Sequence, residues 1–367
     1  MSLPNDNLRV AIVHDWILNI SGAERVLRVL HELFPRAPIY TLFYNPQFVE
    51  SFLPKAKIRP TFLQKPYRFF RSGKPLTPLM PIAVESLDLS EFDLVISSSV
   101  AFSKGLILKP QTKHICYCYS PTRQLWDWYG EYKKERHKIP RFAVTLWQHF
   151  FRVWDRQASA RVDYFVAISD TVKNRIEKYY HAPATVIYPP FTKTLTANSL
   201  LPVADYFLIV SRLFKNKNIN IAIQAFNKLG WPLVIVGSGP ELNYLKRIAA
   251  KNIYFAGYQP DEIVGAYYEN CLGFIMPQEE DFGITPIEAF SYGKPVLALK
   301  RGGALEYIEE AVNGEFFDDP SPEVLAYAVK QMRDKLPSYN SEKIKKTAER
   351  FSEERFKKEI LEFIKKI

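Results

Sequence analysis

Short apolar runs recur along the chain, separated by stretches whose apolar residues fall three and four apart. The first pattern is that of strands buried on both faces and the second that of amphipathic helices. Their alternation predicts βαβ units and parallel sheets. In the first half the predicted strands are RVAIVHDW, PIYTLFY, FDLVISSS, HICYCYS, YFVAIS and TVIYPP. Between the first two, GAERVLRVLHELF sets Val26, Leu27, Leu30 and Leu33 on one helical face. A second series opens at YFLIVSR and continues through PLVIVGSG, NIYFAGY, CLGFIMP and PVLAL, with helical segments near 217–229, 240–250, 260–269 and 285–293 between them. The tail SEERFKKEILEFIKKI reads as an amphipathic closing helix.

Two such series predict an α/β protein of two doubly wound, Rossmann-like parallel-sheet domains facing a cleft. The 367 residues are about twice the usual length of one domain, which agrees. The boundary is expected in YPPFTKTLTANSLLPVADY, rich in prolines, threonines and small polar residues. The predicted domains are 1–195 for acceptor binding and 196–340 for donor binding, with helices over 341–367 packing back toward the first domain. No apolar run approaches the ~20 residues of a membrane-spanning helix, and the start, MSLPNDNLRV, lacks the basic and apolar regions of a signal peptide. Cys116, Cys118 and Cys271 form no disulfide framework, so a reducing, cytoplasmic location is expected.

Charge is distributed unevenly. Residues 1–200 hold 27 Lys and Arg against 16 Asp and Glu, the remainder 22 against 23, and Ser51–Arg161 alone 19 against 8. That asymmetry argues for an anionic partner of the first half. Within it, KIRPTFLQKPYRFFRSGKPLTPLMP and RQLWDWYGEYKKERHKIPRFAVTLWQHFFRVW are too long and aromatic for simple connectors. Three readings stay open for these segments. Cations among aromatic rings suit an anionic membrane interface, single-stranded nucleic acid, or a helical pair packed on the core.

Candidate chemistry concentrates in the second half. In SRLFKNKN, Arg212 and Lys217 follow a strand and enter a helix, where both can neutralise a diphosphate or simply be solvated. VGSGPEL offers Gly237 and Gly239 of a G-x-G-x-x-G fingerprint but has Leu242 at the third position. The acid expected after the next strand is also missing, so the motif reads as a tight turn near a nucleotide rather than an oxidoreductase site. In PQEEDFGITPIEAFSYGKPV, Thr285, Pro286 and Glu288 fit the N-cap, N1 and N3 positions of a helix, a capping box. The amides of Gly283, Ile284 and Thr285 would then point off the helix N-terminus, ready for an anion. Glu280, ahead of the turn, has no capping role and is the better candidate for holding a polar ligand. No D-x-D occurs, so a metal-clamped diphosphate has no support in the sequence.

Together these segments resemble the family-4 retaining glycosyltransferases (group 1, GT-B fold), mannosyltransferase-like members among them. SRLFKNK, VGSGPE, FAGY, EDFGITPIEAFSYGKPVLA and GGALEYI occur in the family's order, and VHDWILNISGAERVL and ICYCYSPTRQLWDWY are similar to N-terminal segments. The resemblance implies that Arg212 and Lys217 hold the donor's diphosphate and that Glu288 binds the ribose. It implies that Glu280, with the Gly283–Thr285 backbone, grips the transferred sugar, and that Gly22 approaches the diphosphate. Two positions depart from the pattern. The first loop has Ser21-Gly22 for a double glycine, and Tyr119 stands where related sequences carry a histidine that contacts the donor sugar.

The implied activity is a metal-independent, retaining transfer of a hexose, mannose from GDP-mannose favoured, to a lipid-linked or glycan acceptor in cell-surface polysaccharide synthesis. No cofactor beyond the nucleotide-sugar donor is expected. A UDP-sugar donor, or a non-catalytic GT-B subunit supporting another transferase, are the alternatives. The expected partners are the donor, the acceptor and an anionic membrane surface met by the basic half, without nucleic acid. The expected place is the inner face of the cytoplasmic membrane.

Overall fold

The computed structural model describes residues 8–135, 140–193, 196 and 201–367. The predicted linker includes residues 194, 195 and 197–200, and the second aromatic, basic segment includes 136–139. Those residues lie outside the described ones, as does the N-terminal MSLPNDN. The chain forms two compact units, 1–190 with 356–367, and 191–355.

The first unit is built on a parallel sheet of strands β1 (Val10–Ile17), β2 (Ile39–Tyr44), β3 (Ile58–Pro60), β4 (Leu94–Ser99), β5 (Lys113–Cys118), β6 (Tyr164–Ala167) and β7 (Ala184–Val186), in the order β3-β2-β1-β4-β5-β6-β7. Every residue of β4 is buried, as continuous apolar runs covered on both faces require. Helix α1 (Gly22–Leu33) buries Val26, Leu27, Val29 and Leu30. Helices α2 (Gln64–Phe70) and α3 (Arg141–Ser159) carry the aromatic, basic segments.

The second unit repeats the design with β8 (Phe207–Val210), β9 (Leu233–Val236), β10 (Ile253–Gly257), β11 (Gly273–Met276), β12 (Val296–Leu299) and β13 (Gly314–Phe317), in the order β10-β9-β8-β11-β12-β13. Helices α4 (Ile219–Leu229) and α5 (Ile284–Ser291) frame its site. Phe207, Ile209, Phe226, Leu233, Ile275 and Leu297 lie at the heart of its core. The last helix, α6 (Glu353–Lys366), runs from the second unit into the first, where Phe356 meets Tyr117 edge-on at 5.6 Å. No helix among the described residues is long and apolar enough to cross a membrane.

In each sheet the strand order reverses once, between β1 and β4 and between β8 and β11. Loops leaving the carboxyl ends of those paired strands diverge to opposite sides and open a crevice, the place where open α/β sheets bind ligands.

Candidate active site

The candidate site of the second unit lies at this reversal. Arg212 follows β8 and Lys217 ends a short 3₁₀ turn before α4, whereas Glu280 and the turn Gly283–Thr285 follow β11. Because β8 and β11 are hydrogen-bonded neighbours, paired Gly273 to Phe207, segments distant in sequence converge. Lys217 Nζ donates to Glu280 Oε1 at 2.5 Å, and Gln278 Nε2 donates to the same oxygen at 2.9 Å. Asn218, left-handed at φ 53°, starts α4 and donates to the Pro277 carbonyl at 3.2 Å, tying the two loops again. Burial pushes the Glu280 carboxyl up, but the charge and hydrogen bond of Lys217, the Gln278 amide and the charge of Arg212 outweigh it and hold the group below its ordinary range.

Glu280, to which the sequence gives no capping role, is engaged instead by two neighbouring side chains. Its side chain is ion-paired, and its carbonyl accepts from Gly303 N at 2.9 Å within a parallel bridge to Gly302.

The capping box is not formed. Helix α5 begins at Ile284 with Gly283 as N-cap, φ 88° and ψ 99°, and has no side-chain cap. Thr285 thus lies inside the first turn, and Pro286 stands third, where its missing N–H costs no intrahelical bond. The amides of Gly283, Ile284 and Thr285 donate to no acceptor among the described residues. They are the orphan donors that make a helix N-terminus attractive to an anion. Only glycine fits the turn comfortably: φ is positive, and a Cβ would come within 3.0 Å of the Tyr307 hydroxyl. Glu288, freed from capping, accepts from the Tyr268 hydroxyl at 2.8 Å, and Tyr268 in turn stacks on Tyr292 at 5.7 Å.

Gly237 has a structural reason the sequence did not reveal. At φ 136°, a Cβ there would lie 1.9 Å from the Ser211 carbonyl oxygen. The glycine lets the loop after β9 pack on the loop carrying Arg212, where Leu213 N donates to the Ser238 carbonyl at 2.9 Å.

In the first unit, Gly22 is the exposed first residue of α1, and the Ser21 hydroxyl donates to the Glu24 carboxylate. Glu24, 3% exposed, lies 3.8 Å from His14 Nε2. His14 Nδ1 bonds Ser98 Oγ at 3.0 Å, and Ser98 Oγ bonds the Tyr119 hydroxyl at 2.9 Å. The same hydroxyl lies 3.1 Å from the Ala23 carbonyl. Tyr119 is thus engaged in bracing the start of α1, and burial raises its hydroxyl far above the ordinary tyrosine range.

Sequence reasoning missed Asp15, at the carboxyl end of β1. Its Oδ2 accepts from Val100 N and Ala101 N at 2.6 and 2.8 Å, and its Oδ1 from Phe102 N and Ser103 N, both at 2.7 Å. One buried carboxylate thereby holds the loop leaving β4 beside the loop leaving β1. A lone acid closing an apolar strand was the available signal, since such burial is costly without hydrogen bonds. Among the described residues, no group of three or more His, Cys, Asp or Glu side chains is placed to hold a metal ion.

Comparison with known proteins matches each unit separately. Residues 20–192 match the family described as Glycosyltransferase Family 4, and residues 198–354 match Glycosyl transferases group 1. The chain belongs to the family-4, group 1 glycosyltransferases and has the GT-B fold. An uncharacterised glycosyltransferase of Methanocaldococcus jannaschii is 24% identical over 203 residues, 53% of this chain and 55% of the relative. The alpha-1,3/1,6-mannosyltransferase ALG2 of Candida glabrata is 25% identical over 83% of this chain and 79% of its own. The chain spans about half or less of the length of the first curated relatives it matches. Among solved structures, Anabaena HepE in complex with UDP superposes with a TM-score of 0.72 at 17% identity, over 98% of this chain and 100% of HepE.

Proposed function

We propose that the chain is a retaining hexosyltransferase that moves a sugar from a nucleoside diphosphate to a lipid-linked or glycan acceptor at an anionic membrane surface. The observation that carries this reading is the convergence of Arg212 and the Lys217–Glu280 pair with the unpaired amides of Gly283–Thr285 at the strand reversal of the second unit. Cations and helix-end amides are what a departing diphosphate needs as its charge develops. On this reading Lys217 and Arg212 stabilise the leaving group, Glu280 orients Lys217 and a sugar hydroxyl, and Glu288 accepts from the ribose. The leaving phosphate itself takes the acceptor's proton, so the step needs no enzyme nucleophile and no metal. Similarity to a mannosyltransferase favours mannose from GDP-mannose, while HepE, solved with UDP and with UDP-glucose, keeps a UDP-sugar as the alternative donor. The basic first half supports an acceptor at the inner face of the cytoplasmic membrane.

Calorimetry with GDP, UDP and their sugars tests the donor site. Arg212→Ala and Lys217→Ala are expected to weaken donor binding at least tenfold while remaining folded, and unchanged affinity in both would end the assignment. A second reading, a non-catalytic subunit, is favoured by the engagement of the Tyr119 hydroxyl with Ser98 and Ala23. Transfer or hydrolysis of a nucleotide sugar by the purified chain would exclude it.

A further inference from the structure

Between β2, the segment 67–80 and α3, the first unit forms a partly open cavity of about 930 Å³, near the top of the ~300–1,000 Å³ range of small-molecule sites. Its walls are largely apolar, with the rings of Trp16, Phe43, Tyr67, Phe102, Trp147 and Trp154 prominent among them. Asp155 is the one carboxylate in the lining, and it is fully engaged. It accepts from Lys104 Nζ at 2.7 Å, Thr122 Oγ1 at 2.9 Å, and Trp126 Nε1 and the Tyr180 hydroxyl at 2.8 Å each. An apolar ligand therefore meets no unpaired acid inside. At the edge stand Arg71 and Lys74, both exposed and without an ion pair among the described residues.

Helix α3 indicates where such a ligand comes from. One stripe of α3, including Val144, Trp147, Phe151 and Trp154, lines the cavity. A second stripe carries Phe142, Leu146, Phe150 and Val153, exposed by 76, 54, 63 and 45%. A helix at a water boundary bears polar residues there. On α2, Tyr67 faces the cavity while Phe69 and Phe70 protrude at 83 and 51% exposure beside the cations Lys65 and Arg68. Exposed apolar patches of this kind mark interaction sites, and aromatic rings interleaved with unpaired cations complement an anionic lipid interface. A water-soluble ligand would explain the cavity but not the outer stripe. A protein partner would explain the stripe but not an apolar cavity with cations at its edge.

We infer that this cavity binds the apolar chain of a lipid phosphate drawn from an anionic bilayer, with Arg71 and Lys74 holding the phosphate and the outer stripe of α3 lying in the interface. The site rests on the transferase reading only in making that lipid the sugar acceptor.

The test uses the full chain and dodecyl phosphate below its micelle concentration, read by tryptophan fluorescence, since Trp16, Trp147 and Trp154 lie in the wall. Saturable binding is expected, at least tenfold tighter than for dodecanol, with no response to inorganic phosphate. Ala143→Trp, which fills the cavity from α3, should abolish it. Arg71→Glu with Lys74→Glu, which leaves the cavity open, should lower dodecyl phosphate to the level of dodecanol. Farnesyl phosphate and a lysophosphatidic acid then compete with the probe, and the stronger displacer identifies an isoprenoid or an acyl source. Absence of saturable binding, affinity unchanged by both substitutions, or displacement by neither competitor would overturn the inference. Donor affinity, measured by calorimetry on the same proteins, reports separately on the transferase reading. Its absence from the wild type alongside intact lipid binding would overturn only that reading.

Discussion

Lys217 and Glu280 stand 63 residues apart in the chain and 2.5 Å apart in the second unit. Their side chains are only 12 and 24% exposed, so the pair is more than a solvated surface contact, and the Lys217 charge helps hold the Glu280 carboxyl below its ordinary range. The strand reversal between β8 and β11 makes the contact, because it delivers the ends of both loops to one place.

Lys217→Ala leaves the Glu280 carboxylate partly buried without its cation. We expect a loss of about 1–3 kcal/mol at pH 7 in urea denaturation, and a smaller loss when Glu280→Gln is added. Because the folded-state pKa of Glu280 is lowered, its contribution is complete above the unfolded carboxyl value of ~4.3 and disappears as pH falls through the lower folded value. The Lys217→Ala penalty should therefore shrink toward pH 3. An equal penalty at pH 3 and pH 7 would contradict the pairing.

Asp15 accepts four backbone amides, so Asp15→Ala strands four donors at once. A loss of at least about 3 kcal/mol is expected, with faster hydrogen exchange at Val100–Ser103 under native conditions. Asp15→Asn, which keeps one acceptor oxygen, should fall between. Unchanged exchange in Asp15→Ala would show that the loop holds itself.

His114 is buried in β5 with Nε2 2.8 Å from Ser97 Oγ, and burial lowers its pKa from 6.5 to about 4. The unfolded chain thus takes up a proton between those values that the folded chain refuses. Stability should be complete above pH 6.5 and fall as pH drops toward 4, by about 3 kcal/mol from this group. His114→Gln should flatten that limb of the urea-midpoint profile. An identical limb in the variant would assign the acid sensitivity to other groups.

The strands written most plainly in the sequence are interior ones such as β1, β4, β8 and β11. Covered on both faces, they need apolar residues at nearly every position, which makes a visible run. The edge strands β3 and β13 were not predicted. They hold three and four residues, and β3 is largely exposed and ends in Pro60. An edge strand has one hydrogen-bonded neighbour and one open side, so little in its composition marks it.

Arg212, Lys217, Glu280 and Glu288 were nominated one by one from their motifs, but none of their partners was legible. The capping box was read from Thr285-Pro286-x-Glu288, a rule of local spacing. The helix start was instead set by Gly283 at φ 88°, beside a segment held by the Glu280–Gly303 backbone bond. Gly237 was read as room for a nucleotide, and the structure gives it a neighbouring carbonyl to clear.

By itself the sequence determined two parallel α/β units, the helix and strand content of each interior, the excess of cations in the first half and the types of residue that can receive a diphosphate sugar. Those properties follow from periodicity and composition, which act over a few residues. Tertiary structure decided what those residues meet: Lys217 with Glu280, Tyr268 with Glu288, Asp15 with the loop after β4, and one stripe of α3 with a cavity while another stays exposed. Strand order brings such partners together, and strand order is set by the packing of whole sheets rather than by any local run of sequence.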